Sequence, residues 1–513
     1  MAVTTAQPIN SKGELFGHPK GLFILFFTEM WERMSYYGMR ALLVLYMAKY
    51  LLVDPERAAR VTGFNSLKGL LETGFGPLDI QPLSSELYGL YSGFVYLSPF
   101  FGGILADRVW GKRRSVYIGG ALMAIGHFLM AFESQFLWAL FFLILGNGAF
   151  KPNISSQVGN LYADDDPRRD GAFTIFYMGI NLGAFFSPFL CDNLAQWICG
   201  KLGMTDPGAV WHMGFSFAGV GMLLGMLFYH FGRHHLAPEN DINLAPVEER
   251  TKNLVLTTLG FLGAMGGFFG LLMLPNGLKI VMIALIAAGI VYSIRKLQDP
   301  IERSRVAALI VLCIGTIAFW AIFEQQGNTL QLWADEKADW ATLGLRSTNY
   351  QSLNPLMIFI FAPLLSGWWE SQARKGKQKM GSIKKMAIGC FLAGGAFLVL
   401  SLATKVITTD KSIVNLLWLV LTTWIFTMGE LYLSPIGLSL VTKVSPPRLL
   451  SMMMGMWFLS SFIGNYLAGR LGSLYSQMSN ESFFLLFAVL GMIVGVFFLL
   501  SNQRLQKIIG TDI

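Results

Sequence analysis

The chain has 513 residues, 54% of them hydrophobic and only 14% charged. A soluble globular protein carries about 25% charged residues, so the soluble classes are excluded and the chain falls among membrane proteins. The formal net charge of +8 is accounted for more simply by basic cytoplasmic connectors than by a nucleic-acid partner.

A helix that crosses a bilayer needs roughly 20 mostly apolar residues. In chain order the stretches that meet this lie near 21–52, 85–107, 114–132, 136–160, 171–199, 211–231, 253–272, 278–297, 305–332, 348–371, 383–403, 413–442, 450–477 and 482–502, which makes fourteen expected spans. The first is too long and too charged for the h-region of a cleaved leader and is expected to remain. The segment 53–84 reads as a long connector, weakly amphipathic, outside the membrane or on its surface. Basic clusters at Arg108/Lys112/Arg113/Arg114 and at Arg374/Lys375/Lys377/Lys379/Lys384/Lys385 fall on one side when the spans alternate, as do Lys443/Arg448 and Arg504/Lys507. Both termini are therefore expected in the cytoplasm.

A faint duplication links GGILADRVWGKRR (102–114) with LSGWWESQARKGKQK after the tenth span. It suggests an all-α protein of two six-helix bundles, 1–235 and 303–513, with two extra helices and their linkers at 236–302. Paired bundles are the architecture of alternating-access carriers.

The first span contains EMWERMSYYGMR, with Glu29, Glu32, Arg33 and Arg40 in an otherwise lipid-compatible segment. At ~100° per residue, these four and Tyr36 and Tyr37 fall within about 140° of arc. Four such ions facing lipid would cost on the order of 10 kcal/mol. The stripe is therefore expected to face protein or a water-filled cavity, as intramembrane ions on a solute or proton pathway do.

Later spans repeat the feature. The fourth carries Lys151, which needs a carboxylate partner, before Pro152, which can interrupt the helical ladder. The fifth carries Tyr177 and Asn181, the ninth Trp320 and Glu324, and the twelfth Glu430 and Ser434, each pair four residues apart. Asn354 precedes Pro355 in the tenth, and Trp457 lies in the thirteenth. Arg33, Arg40 and Lys151 are cationic and come from the first half. Glu324 and Glu430 are anionic and come from the second, while Asn181 and Asn354 can donate and accept. A wet chamber lined by these groups fits a solute with a carboxylate at one end, an ammonium at the other and amides between, as in a short peptide with free termini.

ExxER followed by YYGM, the GGxLADRxxG connector, KPNIS, FYxxIN, FWxxFEQ and GELYLSP occur here in this order. Together they resemble the proton-dependent oligopeptide transporters (POT/PTR family) of the major facilitator superfamily, from about Gly17 to the last span. The resemblance implies a fourteen-helix fold and a symporter that imports di- and tripeptides, with the proton as coupling ion and no other cofactor. It implies a multi-pass protein of a bacterial cytoplasmic (inner) membrane that works as a monomer. By position, Glu29, Glu32, Arg33 and Glu324 match proton-coupling residues, and Arg33, Arg40 and Lys151 match the site for the peptide carboxylate. Glu430, Asn181 and Asn354 match the site for the amino end, and Tyr37, Tyr96, Tyr177, Trp320 and Trp457 match pocket-lining rings; Ser434 lies one turn beyond Glu430. Met34 and Ala184 depart from the residues usual at their positions.

Opposite charge makes Arg40 with Glu324, and Lys151 with Glu430, the expected gating pairs. A carrier of the same fold for nitrate or an amino acid derivative is the alternative, which Glu430 opposes because a bare anion has no use for it. The chain contains no HExxH or GxSxG sequence and no intramembrane Asp pair, which argues against a membrane enzyme. The four Cys form no CxxC pair, and no metal site is expected.

Overall fold

The computed structural model describes residues 13–163, 165–238, 244–375, 380–406, 413–446 and 449–509. Lys377, Lys379 and Arg448 of the basic connectors lie outside the described residues.

The described chain opens with a small hairpin, β1 (Glu14–Leu15) and β2 (His18–Pro19). Its turn places Phe16 at φ 51° and Gly17 at φ 77°, the left-handed pair that suits a two-residue hairpin loop. Arg168 fastens it, donating to Glu14 Oε1 at 2.9 Å and to the Gly17 carbonyl at 3.0 Å. The same guanidinium donates to Asp166 at 2.9 Å, and this hydrogen bond holds the Asp166 carboxyl below the ordinary carboxylate range.

Helix α1 (Lys20–Tyr46) follows and is prolonged by a π-helical turn at Met47–Leu51. The expected connector at 53–84 is largely helical. It holds α2 (Pro55–Arg60), capped by the Asp54 carboxylate, and α3 (Phe64–Phe75), the amphipathic piece, before α4 (Ile80–Leu105) begins. Next come α5 (Lys112–Leu129), α6 (Phe136–Gly159), α7 (Arg169–Pro188), α8 (Leu194–Lys201) and α9 (Ala209–Gly232). Helices α10 (Val247–Met273) and α11 (Asn276–Arg295) bury 6% and none of their most apolar windows, so their apolar sides are left for lipid.

The ninth expected span is not one helix. Helix α12 (Pro300–Phe323) tightens into a 3-10 turn at Glu324–Gly327, and α13 (Thr329–Lys337) starts afresh. The remaining helices are α14 (Leu353–Arg374), α15 (Ser382–Val406), α16 (Leu417–Val444), α17 (Leu450–Gly472) and α18 (Asn480–Ile509).

Among the described residues, eleven helices are long and apolar enough to cross a membrane. Long helices α1, α5 and α17 fall outside that set. For α1 the reason is the ionic stripe, whose Glu29, Glu32, Arg33 and Arg40 are all buried. Lipid exposure is thereby avoided, as the cost of bare charge in hydrocarbon requires.

The chain forms two compact units, Met1–Phe64 with Leu97–Ala264, and Asn65–Tyr96 with Met265–Ile513. In the first, α1 packs on α7 and α9, and α5 on α6. In the second, α15 packs on α16 and α18, and α12 on α17.

Pro152 does not break α6, which runs through it. Its missing N–H is felt one turn back, at the Gly148 carbonyl. Gly102 of α4 lies against that carbonyl, where an added Cβ would stand 2.0 Å from the oxygen. Gly102→Ala is therefore expected to lower stability by about 1–3 kcal/mol, because backbone on both sides must yield. Thermal unfolding in detergent checks this, with Gly103→Ala as control, since a Cβ there meets nothing within 4 Å.

Candidate functional site

In the first unit Glu29, Glu32 and Arg33 of the stripe form one ionic cluster. Helical spacing puts Glu29 one turn before Arg33, with Nε 3.3 Å from Glu29 Oε1. Glu32 closes a two-pronged contact, accepting from Arg33 Nε and, at 2.6 Å, from Nη2. These three side chains are at most 3% exposed. Lys151 of α6 is close enough to act on Glu29 through its charge, so it has the carboxylate neighbour its position demands. Two acids and two bases then balance, which lowers the cost of burial.

One atom stands apart. Glu29 Oε2 is buried and has no hydrogen-bond partner among the described residues. A buried polar atom left without a partner calls for an explanation.

The rings of the stripe serve the cations. Arg33 Cζ lies 5.0 Å from the Tyr36 ring centre and Arg40 Cζ 5.9 Å from that of Tyr37, within reach of cation–π attraction. On α7, Asn181 is buried and donates to the Tyr177 carbonyl at 3.0 Å. One of its two amide N–H bonds is thus engaged by its own helix, while the Tyr177 ring is exposed.

In the second unit Asn354 and Glu430 meet directly. The first turn of α14 carries Asn354, whose Nδ2 donates to Glu430 Oε2 at 3.0 Å and to Thr427 Oγ1 at 3.0 Å. Glu324 is buried where α12 ends, with the Tyr88 hydroxyl 3.5 Å away. Trp320 faces Tyr96 at 6.3 Å between ring centres, and its Nε1 is buried without a hydrogen-bond partner among the described residues. Trp457 is buried against Gly437, and Ser434 is half-buried on α16. Arg40 and Lys151 belong to the first unit, Glu324 and Glu430 to the second.

Sequence reasoning overlooked a second ion pair. Glu86 on α4 is fully buried and accepts from Arg470 Nη1 of α17 at 2.9 Å. Phe75 of α3 covers the guanidinium at 4.1 Å. Here α4 and α17 approach closely, because a Cβ at Gly89 would stand 2.6 Å from Gly469 Cα. Polar side chains flank the crossing: Ser85 donates to Asn328 at 2.9 Å, and Gln325 to the Ala468 carbonyl at 2.8 Å. The signal was present, since Glu86 and Arg470 are the sole ionic residues of α4 and α17. Arg470→Met is expected to cost about 3 kcal/mol by stranding a buried carboxylate, and Glu86→Leu in the same chain to recover most of it. Thermal unfolding of the single and double variants checks both.

The matching family model, described as the POT family, covers residues 113–492. An uncharacterized transporter, YclF, of Bacillus subtilis (strain 168) is 35% identical over 98% of this chain and 97% of its own. A di-/tripeptide transporter of Lactococcus lactis subsp. lactis (strain IL1403) is 33% identical, covering 96% of this chain and 97% of its own. Among solved structures, a peptide transporter POT in complex with alafosfalin superposes with a TM-score of 0.78 at 34% identity, covering 97% of each chain. A POT family transporter in complex with 5-aminolevulinic acid does so with a TM-score of 0.77 at 30% identity, covering 98% of this chain and 99% of its own. With its helical architecture, its buried ionic cluster and this match along nearly its whole length, the chain belongs to the POT family of membrane transporters.

Proposed function

We propose that this transporter is a proton-coupled symporter that imports di- and tripeptides by alternating access. The observation that supports this most is the buried Glu29–Glu32–Arg33 cluster with Lys151 beside it. It combines a cation able to hold a carboxylate with an acid whose outer oxygen has no donor among the described residues.

The roles follow from charge. Arg33, Arg40 and Lys151 bind the peptide carboxylate. Glu430, braced by Asn354, binds the amino end with Asn181. Tyr37, Tyr96, Tyr177, Trp320 and Trp457 accept side chains, and Ser434 adds a hydroxyl. Glu29, Glu32, Arg33 and Glu324 carry the coupling. A peptide carboxylate that competes for Arg33 releases Glu29 from its ion pair, and Glu29 Oε2 then takes the proton. Arg40, Glu324, Lys151 and Glu430 are assigned to gating by their complementary charge. Each charge moved inward gains ~2.3 kcal/mol per 100 mV, enough for about 50-fold accumulation.

The same reading assigns two six-helix bundles, 1–235 and 303–513, with two inserted helices at 236–302 and fourteen spans in all. It puts the protein in a bacterial inner membrane with both termini on the cytoplasmic side, the monomer as the working unit and the proton as the sole coupling species.

Proteoliposomes loaded with purified protein test the proposal. An inward proton gradient is expected to drive accumulation of labelled dialanine, with di- and tripeptides competing. Nitrate or 5-aminolevulinic acid competing better than any peptide, or uptake indifferent to the gradient, would overturn it.

A further inference from the structure

The Asn354–Glu430 pair is held by a third side chain that lies outside every motif quoted above. Thr427 stands one turn before Glu430 on α16 and is fully buried. Its Oγ1 donates to the Thr423 carbonyl at 2.8 Å. A hydroxyl has one proton, so Oγ1 has only lone pairs left to offer.

Asn354 Nδ2 meets those lone pairs at 3.0 Å and Glu430 Oε2 at 3.0 Å. A primary amide carries two N–H bonds on its nitrogen, and both are thereby committed. Turned over, the amide would set its carbonyl against a carboxylate and a hydroxyl whose proton is already given. Two hydrogen bonds would be exchanged for two repulsive acceptor–acceptor contacts. The nitrogen side is therefore locked toward α16, and Oδ1 is held on the opposite side of the amide.

We infer that Thr427 is a positioning residue for the amino end of the substrate, fixing Asn354 so that Nδ2 braces Glu430 while Oδ1 is presented as a second acceptor. This rests on the peptide reading above. An ammonium has three N–H donors and no acceptor, and a carboxylate with an amide oxygen beside it suits that pattern. An N-acetylated terminus has one N–H and no charge, and gains little from the arrangement. Removing the hydroxyl leaves one amide N–H facing a methyl group, and the Glu430 contact alone then holds the orientation that two contacts held before.

The test is gradient-driven uptake in proteoliposomes by wild type, Thr427→Val, Thr427→Ser, Asn354→Ala and the Asn354→Ala/Thr427→Val double variant. Thr427→Val keeps the shape of the side chain; should it fail to fold, Thr427→Ala deletes the same hydroxyl. Thr427→Val is expected to raise KM for dialanine about tenfold, the weight of one hydrogen bond at a buried site, with kcat within about twofold. Thr427→Ser is expected to restore the KM. Inhibition by N-acetyl-dialanine is expected to stay unchanged, and the double variant to be no worse than Asn354→Ala, since the two residues act as one. An unaltered KM for dialanine in Thr427→Val overturns the inference alone. So does an equal loss for the acetylated peptide, or a double variant whose defects simply add. A wild-type protein that takes up no dipeptide removes the peptide reading and the inference with it.

Discussion

Replacing Arg33 with methionine is expected to abolish proton-driven accumulation of dipeptide and to lower stability by about 3–5 kcal/mol. The guanidinium is the shared partner of Glu29 and Glu32. Without it two carboxylates remain buried, at most 2% exposed, with Lys151 as the neighbouring cation on Glu29. Breaking a buried ion pair from one side costs far more than deleting both sides. Glu29→Gln/Glu32→Gln/Arg33→Met is therefore expected to regain most of the lost stability and none of the coupling. Glu32→Gln alone keeps the charge of Arg33 and is expected to fold and to exchange labelled peptide down its gradient. Its accumulation is expected to fall from about 50-fold at 100 mV to none. Thermal unfolding in detergent reads the first effect, and uptake with and without a proton gradient reads the second. Full accumulation by Glu32→Gln would remove that glutamate from the coupling.

Glu430→Gln is expected to raise KM for a dipeptide with a free amino end on the order of 100-fold, the weight of a desolvated charge pair. Stability is expected to change little, because Gln can still accept from Asn354 in place of the Oε2 contact at 3.0 Å. N-acetyl-dialanine should be nearly indifferent to the change, so the selectivity between the two termini collapses. Concentration series with the two peptides measure this. Equal losses for both would mean that Glu430 supports the helix packing rather than the ammonium.

The residues found by periodicity and those found by folding differ in kind. Apolar run length located each long helix, because a span must be both long and unbroken in hydropathy. A local argument about angle grouped Glu29, Glu32 and Arg33, since helical geometry alone brings residues three and four apart together. The 3-10 turn after Phe323 went unread although it ends on Gly327 with Asn328 next, and Gly and Asn are the residues that end helices. Apolar content on either side had masked the stop. The helices within 53–84 went unread because short amphipathic segments carry too few periods to be told from a loop.

By itself the sequence determined the membrane class, the positions of the long helices and the set of ions that must be hidden from lipid. Hydropathy and the helical repeat are local properties, and each can be evaluated one segment at a time. Only the tertiary structure decided partners. Asn354 with Glu430 lies 76 residues apart in the chain, Asn354 with Thr427 lies 73 apart, and Glu86 with Arg470 lies 384 apart. A periodic pattern says which face of a helix is buried, and nothing in it says which atom the next helix brings to that face.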